Sequence, residues 1–173
     1  MSTTRIKSTA VNNVAYTGIV TISQYTNGKK IATAKTHNAG GRALFNFLAN
    51  CLTGDFDTAK ANIPTKILLL AKNKDTGTLE PADPQFKYIL TNPELVYSTN
   101  ECIVKYSFII PQERFTGTGF NAIGLYPSSA TYTDTGNYVA VCDIDSSNFK
   151  LAIAMSTVLV LDWELHISNG QQH

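Results

Sequence analysis

Acidic residues near the end of the chain have the spacing of an acid–base pair. Asp162 and Glu164 alternate with apolar residues, and His166 follows two residues further on. Residues two apart in a strand share a face, so both carboxyl groups and the imidazole would stand side by side. Two carboxylates that flank a cleft can act as general acid and base, as in glycoside hydrolysis. No second pair accompanies them, so the sequence favours a solvated polar face over a catalytic or metal site.

A second acidic stretch, residues 143–148, has the alternating oxygen ligands with which a calcium loop begins. An EF-hand loop has Gly at its sixth position and a bidentate Glu at its twelfth. Here these positions hold Asn148 and Ala154. The stretch therefore predicts a strand that ends in an Asx-rich turn.

The other signatures of cofactor or nucleophile chemistry are incomplete. Residues 117–119, Gly-Thr-Gly, are too short for a dinucleotide loop, and a strand is predicted after them where that motif needs a helix. Gly40-Gly41 precedes a helix without the Lys-Ser/Thr pair of a P-loop. The histidines lack His or Cys partners at zinc-ligand spacing, and the chain has no Gly-x-Ser-x-Gly motif. We therefore expect no catalytic residue, no metal and no cofactor, in a protein that is not an enzyme.

The composition argues against binding to nucleic acid or to a membrane. Charged residues make up 16% of the chain and the formal net charge is +1, whereas an average soluble domain is about 25% charged. Binding to DNA, RNA or anionic lipid needs clustered Lys and Arg. Cys51, Cys102 and Cys142 are odd in number and widely spaced, which predicts reduced, buried thiols in a protein made in a cytoplasm. The first residues lack the apolar core of a signal peptide, and no run has the length of a membrane-spanning helix.

The last third of the chain predicts three strands, at residues 120–126, 138–144 and 157–168. The third has a strict alternation of apolar and polar residues, which is typical of a half-buried strand. Its inward face is expected to hold Leu159, Leu161, Trp163, Leu165 and Ile167. A final strand with such regular alternation favours an antiparallel sandwich or barrel over a nucleotide-binding α/β unit.

A hairpin and one helix are the clearest elements of the first third. Asn27-Gly28 separates two β-rich runs, residues 13–25 and 29–36, and this dipeptide is the strongest short hairpin signal. Apolar residues then recur at spacings of three and four from Leu44 to Leu52, which predicts an amphipathic helix over about 41–53. Gly54 is expected to end it and Asn38 is a candidate for its N-cap. We expect Trp163 to pack against the apolar stripe that comprises Leu44, Phe47, Leu48 and Cys51.

These elements together predict a mainly β protein, an antiparallel, jelly-roll-like β-sandwich with one embedded α-helix that covers an open end or face. Further strands are expected at residues 66–71, 86–90, 94–97 and 101–111. Residues 72–84 and 127–136 are polar and rich in turn formers, so we predict loops there. Residues 1–12 are interpreted as an N-terminal arm, and residues 13–173 as a single domain of about eight strands.

Three residues are candidates for contacts with other proteins. Ile6 and Val11 are the apolar anchors of a polar arm that cannot bury enough surface to order itself, so we expect it to be ordered by another chain. Tyr132 lies in the polar loop 127–136, and Tyr is enriched at protein interfaces.

Three C-terminal segments resemble the ends of bacteriophage tail and fibre-associated proteins. They are residues 121–126 (Asn-Ala-Ile-Gly-Leu-Tyr), 138–142 (Tyr-Val-Ala-Val-Cys) and 159–165 (Leu-Val-Leu-Asp-Trp-Glu-Leu). In those proteins a Glu-Ile-Gly-Leu-Tyr strand is followed by a Leu-Val-Ala strand and by a last strand with a Trp. This chain has Ala122 where the pattern often has Glu. Residues 37–41, which lead into the helix, also resemble small phage structural proteins.

The resemblance implies a structural subunit of a virion, in the tail, collar or baseplate, which assembles in the cytoplasm of the bacterial host. Its partners would be copies of itself and other virion proteins. The alternative is a carbohydrate- or receptor-binding β-sandwich module at a fibre or tail tip, with a host glycan as its ligand. A small glycan hydrolase is a third hypothesis.

Overall fold

The computed structural model describes residues 14–82, 88–99, 101–114, 120–131, 135–144 and 157–169. In this part of the chain ten strands form one antiparallel sheet. They are β1 (Val14–Thr26), β2 (Lys29–Gly40), β3 (Pro64–Lys72), β4 (Leu79–Pro81), β5 (Ile89–Leu90), β6 (Glu94–Tyr97), β7 (Glu101–Pro111), β8 (Ala122–Pro127), β9 (Ala140–Asp143) and β10 (Thr157–Asn169). The described helices are α1 (Arg42–Thr53), α2 (Phe56–Ala61) and a 3-10 turn, Gln112–Arg114. The prediction of a mainly β fold is confirmed.

The sheet is arranged as a sandwich, because its two ends share one core. Its order is β4-β3-β8-β9-β2-β1-β10-β7-β6, with β5 also paired to β3. The two ends are joined where β9 pairs with the last residues of β2, Asn38 to Gly40. Apolar side chains from both ends then form a single buried cluster, in the manner of face-to-face sheets. That cluster includes Val20, Ile22, Ile67, Leu69, Phe108, Ile123, Leu125 and Trp163.

The β1–β2 hairpin has the predicted turn. Asn27 and Gly28 have φ angles of 51° and 75°, the left-handed values that a tight two-residue hairpin requires. The resulting strands are long, and β1 pairs along its whole length with β10. The alternation of β10 also holds, because Trp163 is fully buried while Asp162 is exposed.

Helix α1 has nearly the predicted bounds, but its N-cap differs from the expected one. Asn38 lies in β2, and the residue before the helix is Gly41, which makes no side-chain cap. A Cβ on Gly41 would lie 2.1 Å from the carbonyl oxygen of Tyr138, so only Gly fits this close approach of two backbones. The helix ends at Gly54, which has the predicted left-handed conformation with φ 80°.

The expected contact between Trp163 and the helix is wrong. α1 buries Ala43 and Leu44 against Val139, in a small cluster that is separate from the cluster of Trp163. The helix therefore covers the sheet beside the β8–β9 connection and does not insert over the main core. Phe47, Leu48 and Cys51 are half-buried.

The short elements β4 and α2 were not predicted, and neither was the 3-10 turn Gln112–Arg114. The loop expected at residues 72–84 contains β4, which returns after a turn at Gly77 and pairs with β3. α2 follows α1 directly, and the Asp55 side chain caps it by accepting a hydrogen bond of 3.1 Å from the Thr58 N–H. The predicted strands 120–126 and 138–144 are present as β8 and the shorter β9. The arm at residues 1–12 lies outside the described residues, and the division into arm and domain stays a prediction.

Candidate functional site

The polar face of β10 carries the acidic pair that the sequence singled out. In the sheet Glu164 lies between Ile19 of β1 and Lys105 of β7. Asp162 lies one row away, between Thr21 and Ser107. The carboxyl groups thus share the outer face of the sheet, as expected, and strand register decides their neighbours.

Each acidic group is held by a neighbour on β7 or β10. Lys105 Nζ lies 3.1 Å from Glu164 Oε1, and His166 Nε2 lies 3.1 Å from Glu164 Oε2. His166 Nδ1 lies 2.7 Å from Glu101 Oε1. Since both ring nitrogens face carboxylate oxygens, only an imidazolium can donate to both. Ser107 Oγ donates to Asp162 Oδ1 over 2.8 Å. The side chains of the first three contacts therefore form a continuous chain, the outer-face network: Glu101, His166, Glu164 and Lys105.

The network keeps Glu164 ionised. Partial burial acts to raise the pKa of this carboxyl, but the hydrogen bonds and positive charges of Lys105 and His166 outweigh it, and the pKa is lowered from its ordinary value. A general acid at neutral pH needs a raised pKa. Glu164 is therefore suited to hold charge pairs and not to donate a proton.

Beside the network runs an open groove of about 520 Å³. It lies between the outer face of the sheet and the segment that joins β5 to β6. Side chains of both positive and negative charge and neutral polar side chains line the groove, so it can form hydrogen bonds with a polar ligand. The polar lining residues are Thr21, Lys35, Thr91, Asn92, Glu94, Lys105, Ser107, Asp162 and Glu164.

A polar pair inside the sandwich was missed at the sequence level. Asn38 Nδ2 donates a hydrogen bond of 2.7 Å to Tyr16 Oη. A Cβ on Gly18 would lie 1.4 Å from Asn38 Oδ1, so the glycine leaves the space that the amide occupies. Burial raises the pKa of Tyr16, although the hydrogen bond from Asn38 opposes that shift. Gly18 in mid-strand was the available signal, because such a glycine often marks a close approach. The pair joins the start of β1 to the end of β2, next to α1.

The cysteines are free thiols, but only one of them is buried. Cys142 is fully buried in the core, and burial raises the pKa of its thiol to about 12. Cys51 and Cys102 are half-buried, which corrects the expectation for these two residues. A thiol with the pKa of Cys142 is almost entirely protonated at neutral pH and unsuited to nucleophilic chemistry.

The helical segment exposes three large apolar side chains, two of which, Phe45 and Leu52, belong to the predicted apolar stripe of the helix. Phe45 is 65% exposed, Leu52 is 89% exposed and Phe56 at the start of α2 is 70% exposed. Phe45, Ala49 and Leu52 are spaced by four and three residues, so they share one side of α1. We call Phe45, Leu52 and Phe56 the apolar helical surface. Exposed aromatic and leucine side chains of this density are typical of protein contact sites.

The candidate contact residues Ile6, Val11 and Tyr132 lie outside the described residues, and their contacts stay predictions. Both flanks of the Tyr132 loop are anchored. The Ser129 hydroxyl hydrogen-bonds Asn62 Oδ1 over 2.8 Å. On the other flank, the hydroxyl of Tyr126 donates to the Thr135 carbonyl over 2.9 Å.

Among the described residues, no group of three or more His, Cys, Asp or Glu side chains is arranged to hold a metal ion. No helix in the same part of the chain is long and apolar enough to cross a membrane. Comparisons of the chain with protein-family models, curated proteins and solved structures found no match.

Proposed function

We propose that the chain is a non-enzymatic structural subunit of a bacteriophage particle, in its tail, collar or baseplate, which acts through protein–protein contacts in a multimeric assembly. The observation that carries this proposal is the apolar helical surface, since Phe45, Leu52 and Phe56 are all more than half exposed. Burying such side chains against a partner removes apolar area from water, the main favourable term in most protein association. The resemblance of the last three strands to phage tail and fibre-associated proteins supports the particle as the assembly.

The test is incorporation into particles. The chain is produced in a phage-infected host, particles are purified, and their proteins are quantified by mass spectrometry. Leu52→Lys places a charge in the apolar helical surface and should exclude the subunit from particles. Leu90→Lys is the matched control, because Leu90 is also well exposed, at 68%, but lies on β5. Absence of the wild-type chain from particles, or equal incorporation of both variants, would contradict the proposal.

The outer groove favours a second candidate function, a glycan-binding module at a fibre or tail tip. Sugar hydroxyls can both donate and accept hydrogen bonds, and Lys35, Asn92 and Asp162 offer complementary groups around the groove of about 520 Å³. Binding of the purified chain to host-cell glycans should then be lost in Asp162→Ala and kept in Asp57→Ala, a change of the same type on α2. If both variants still bind the glycans, the groove is not the glycan-binding site.

A further inference from the structure

Strand β6 ends the described sheet, and its outer edge lacks the Lys and Pro residues that β2 and β4 carry. Sheet edges are commonly protected from pairing by Lys or Pro. The first part of β2, which has only β1 as a described neighbour, carries Lys29, Lys30 and Lys35. β4, at the opposite end of the sheet, carries Pro81. β6 is Glu-Leu-Val-Tyr, and Glu94 is its single charge.

The side chains of β6 that lie on the core side of the sheet are uncovered. Leu95 lies opposite Val104, which packs against the main core, and Tyr97 lies two residues further on the same face. Leu95 is 48% exposed and Tyr97 is 74% exposed. Another strand beside β6 would extend the sheet and cover both side chains.

The free backbone groups of β6 belong to the same two residues. The Ser98 N–H donates to the Glu101 carbonyl over 2.8 Å, which makes these two residues a hydrogen-bonded pair at the hairpin turn. In an antiparallel ladder such pairs alternate with pairs whose N–H and C=O groups point away. The backbone groups of Val96 therefore face β7, and those of Leu95 and Tyr97 point to the open edge.

We propose that β6 pairs antiparallel with β6 of a second copy of this chain, about a two-fold axis perpendicular to the sheet. Val96 then lies opposite the partner subunit's Val96, and Leu95 lies opposite the partner subunit's Tyr97. Leu95 and Tyr97 each donate and accept one backbone hydrogen bond across the new ladder, since their free groups face the partner. Their side chains form Leu–Tyr pairs on the core side, and such aromatic pairs stabilise sheets.

Glu94 in β6 and Pro93 just before it favour this register over the neighbouring registers. Glu94 falls opposite the partner subunit's Ser98, so the two Glu94 carboxylates do not meet. A shift that placed Leu95 opposite the partner subunit's Leu95 would bring Pro93 opposite the partner subunit's Tyr97. Pro93 has no N–H to donate, so that ladder would lose hydrogen bonds. The contact goes beyond the proposed function, because it uses another surface and names a second copy as the partner.

Disulfide cross-linking between the two copies tests the proposed register. In the proposed pair the Val96 Cα atoms of the two copies are about 4.5 Å apart, within the reach of a disulfide. The Glu94 positions of the two copies are about 13 Å apart along the strands, which is too far. Under mild oxidation the purified full chain with Val96→Cys should therefore give a covalent dimer on a non-reducing gel. Glu94→Cys, a change on the same strand and face, should give only the background that the natural cysteines of the wild type produce. Equal yields from the two variants would overturn the proposal.

A second change distinguishes this edge from the apolar helical surface. Adding Leu95→Lys to Val96→Cys should reduce the yield of the covalent dimer, because the apolar contact between Leu95 and the partner subunit's Tyr97 is lost and a Lys on an edge strand disfavours pairing. Adding Leu52→Lys should leave the yield unchanged. If Leu52→Lys removes the dimer and Leu95→Lys does not, the helical surface joins the copies, and the β6 pair is wrong while the proposed function stands.

Discussion

Replacement of Trp163 by Ala and by Phe tests how the sandwich is held together. The Trp163 side chain is fully buried, and in the sheet it lies between Val20 of β1 and Tyr106 of β7. It is one of the largest buried side chains, and both ends of the sheet contribute to its cluster. The indole Nε1 is also buried and has no hydrogen-bond partner among the described residues. The two substitutions separate these properties, because Ala removes the ring whereas Phe removes mainly the N–H.

The expected magnitudes follow from burial and from the unpaired N–H. A tryptophan buries about 150–250 Å², which at about 25 cal/mol per Å² corresponds to about 4–6 kcal/mol. Since Ala retains a small part of this area and the site partly collapses, Trp163→Ala should lower the free energy of unfolding by about 3–5 kcal/mol. A buried, unpaired donor costs about 1–3 kcal/mol. Phe has no N–H, so this cost disappears and offsets part of the stability that is lost with the smaller buried ring. Trp163→Phe should therefore lower the free energy of unfolding by less than about 1.5 kcal/mol.

The assay is urea denaturation followed by circular dichroism, because Trp163 is the only tryptophan and fluorescence would be lost with it. An unchanged slope of the free energy against urea concentration would show that the midpoints report stability. A change below about 1 kcal/mol for Trp163→Ala would refute its role as a major core residue. Equal losses for Ala and Phe would refute the claim that the indole N–H is unpaired in the folded chain.

Three further predictions concern the helix start, the outer-face network and the buried thiol. Gly41→Ala should lower the melting temperature, because its Cβ would meet the Tyr138 carbonyl oxygen at 2.1 Å, whereas Gly136→Ala, with nothing within 4 Å, should not. Glu164 has a lowered pKa in the folded chain, so its contribution is present above the unfolded pKa of about 4.3 and is lost as the pH falls through the folded value. Glu164→Gln should therefore reduce the dependence of the unfolding free energy on pH in that acidic range, by less than about 1 kcal/mol because the group is partly exposed; an unchanged pH profile would contradict the assignment. In the native chain at pH 8, Cys142 should react with a thiol reagent far more slowly than the half-buried Cys51, as peptide mass spectrometry can measure. Equal labelling of the two thiols would contradict the burial of Cys142.

The strands with strong local signals could be predicted closely. The bounds of β6 and β7 coincide with the prediction, and those of β7 are defined locally by its period-two alternation and by Pro111. The Asn27-Gly28 turn likewise fixed the β1–β2 hairpin. β4 could not be found in the same way, because three residues carry no periodicity and the strand exists through its pairing with β3. α2 is a helix of six residues whose one clear signal is its Asp55 cap.

Predictions of packing failed where a local pattern had more than one solution. The apolar residues of α1 occupy neighbouring stripes, and spacing alone does not say which stripe meets the sheet. Leu44 is buried while Phe45, the next residue, is exposed, so the partner at Val139 decided the orientation. For the same reason the shared face of Asp162 and Glu164 could be predicted, but Lys105 as a partner could not. That contact depends on which strand lies beside β10, and β7 is about sixty residues away in the chain.

The kinds of surface that remain open support assembly over catalysis. On the outer face, Glu101, His166, Glu164 and Lys105 already pair with one another, so a ligand there must compete with existing contacts. The exposed groups of the described residues also include apolar side chains on α1, α2 and β6 and the outer backbone edge of β6. Apolar side chains and strand edges are satisfied by packing and by main-chain pairing, which another protein chain supplies and a small polar substrate does not. A chain with few charges thus presents the two kinds of surface on which subunits join, and this is the physical basis for proposing a structural role.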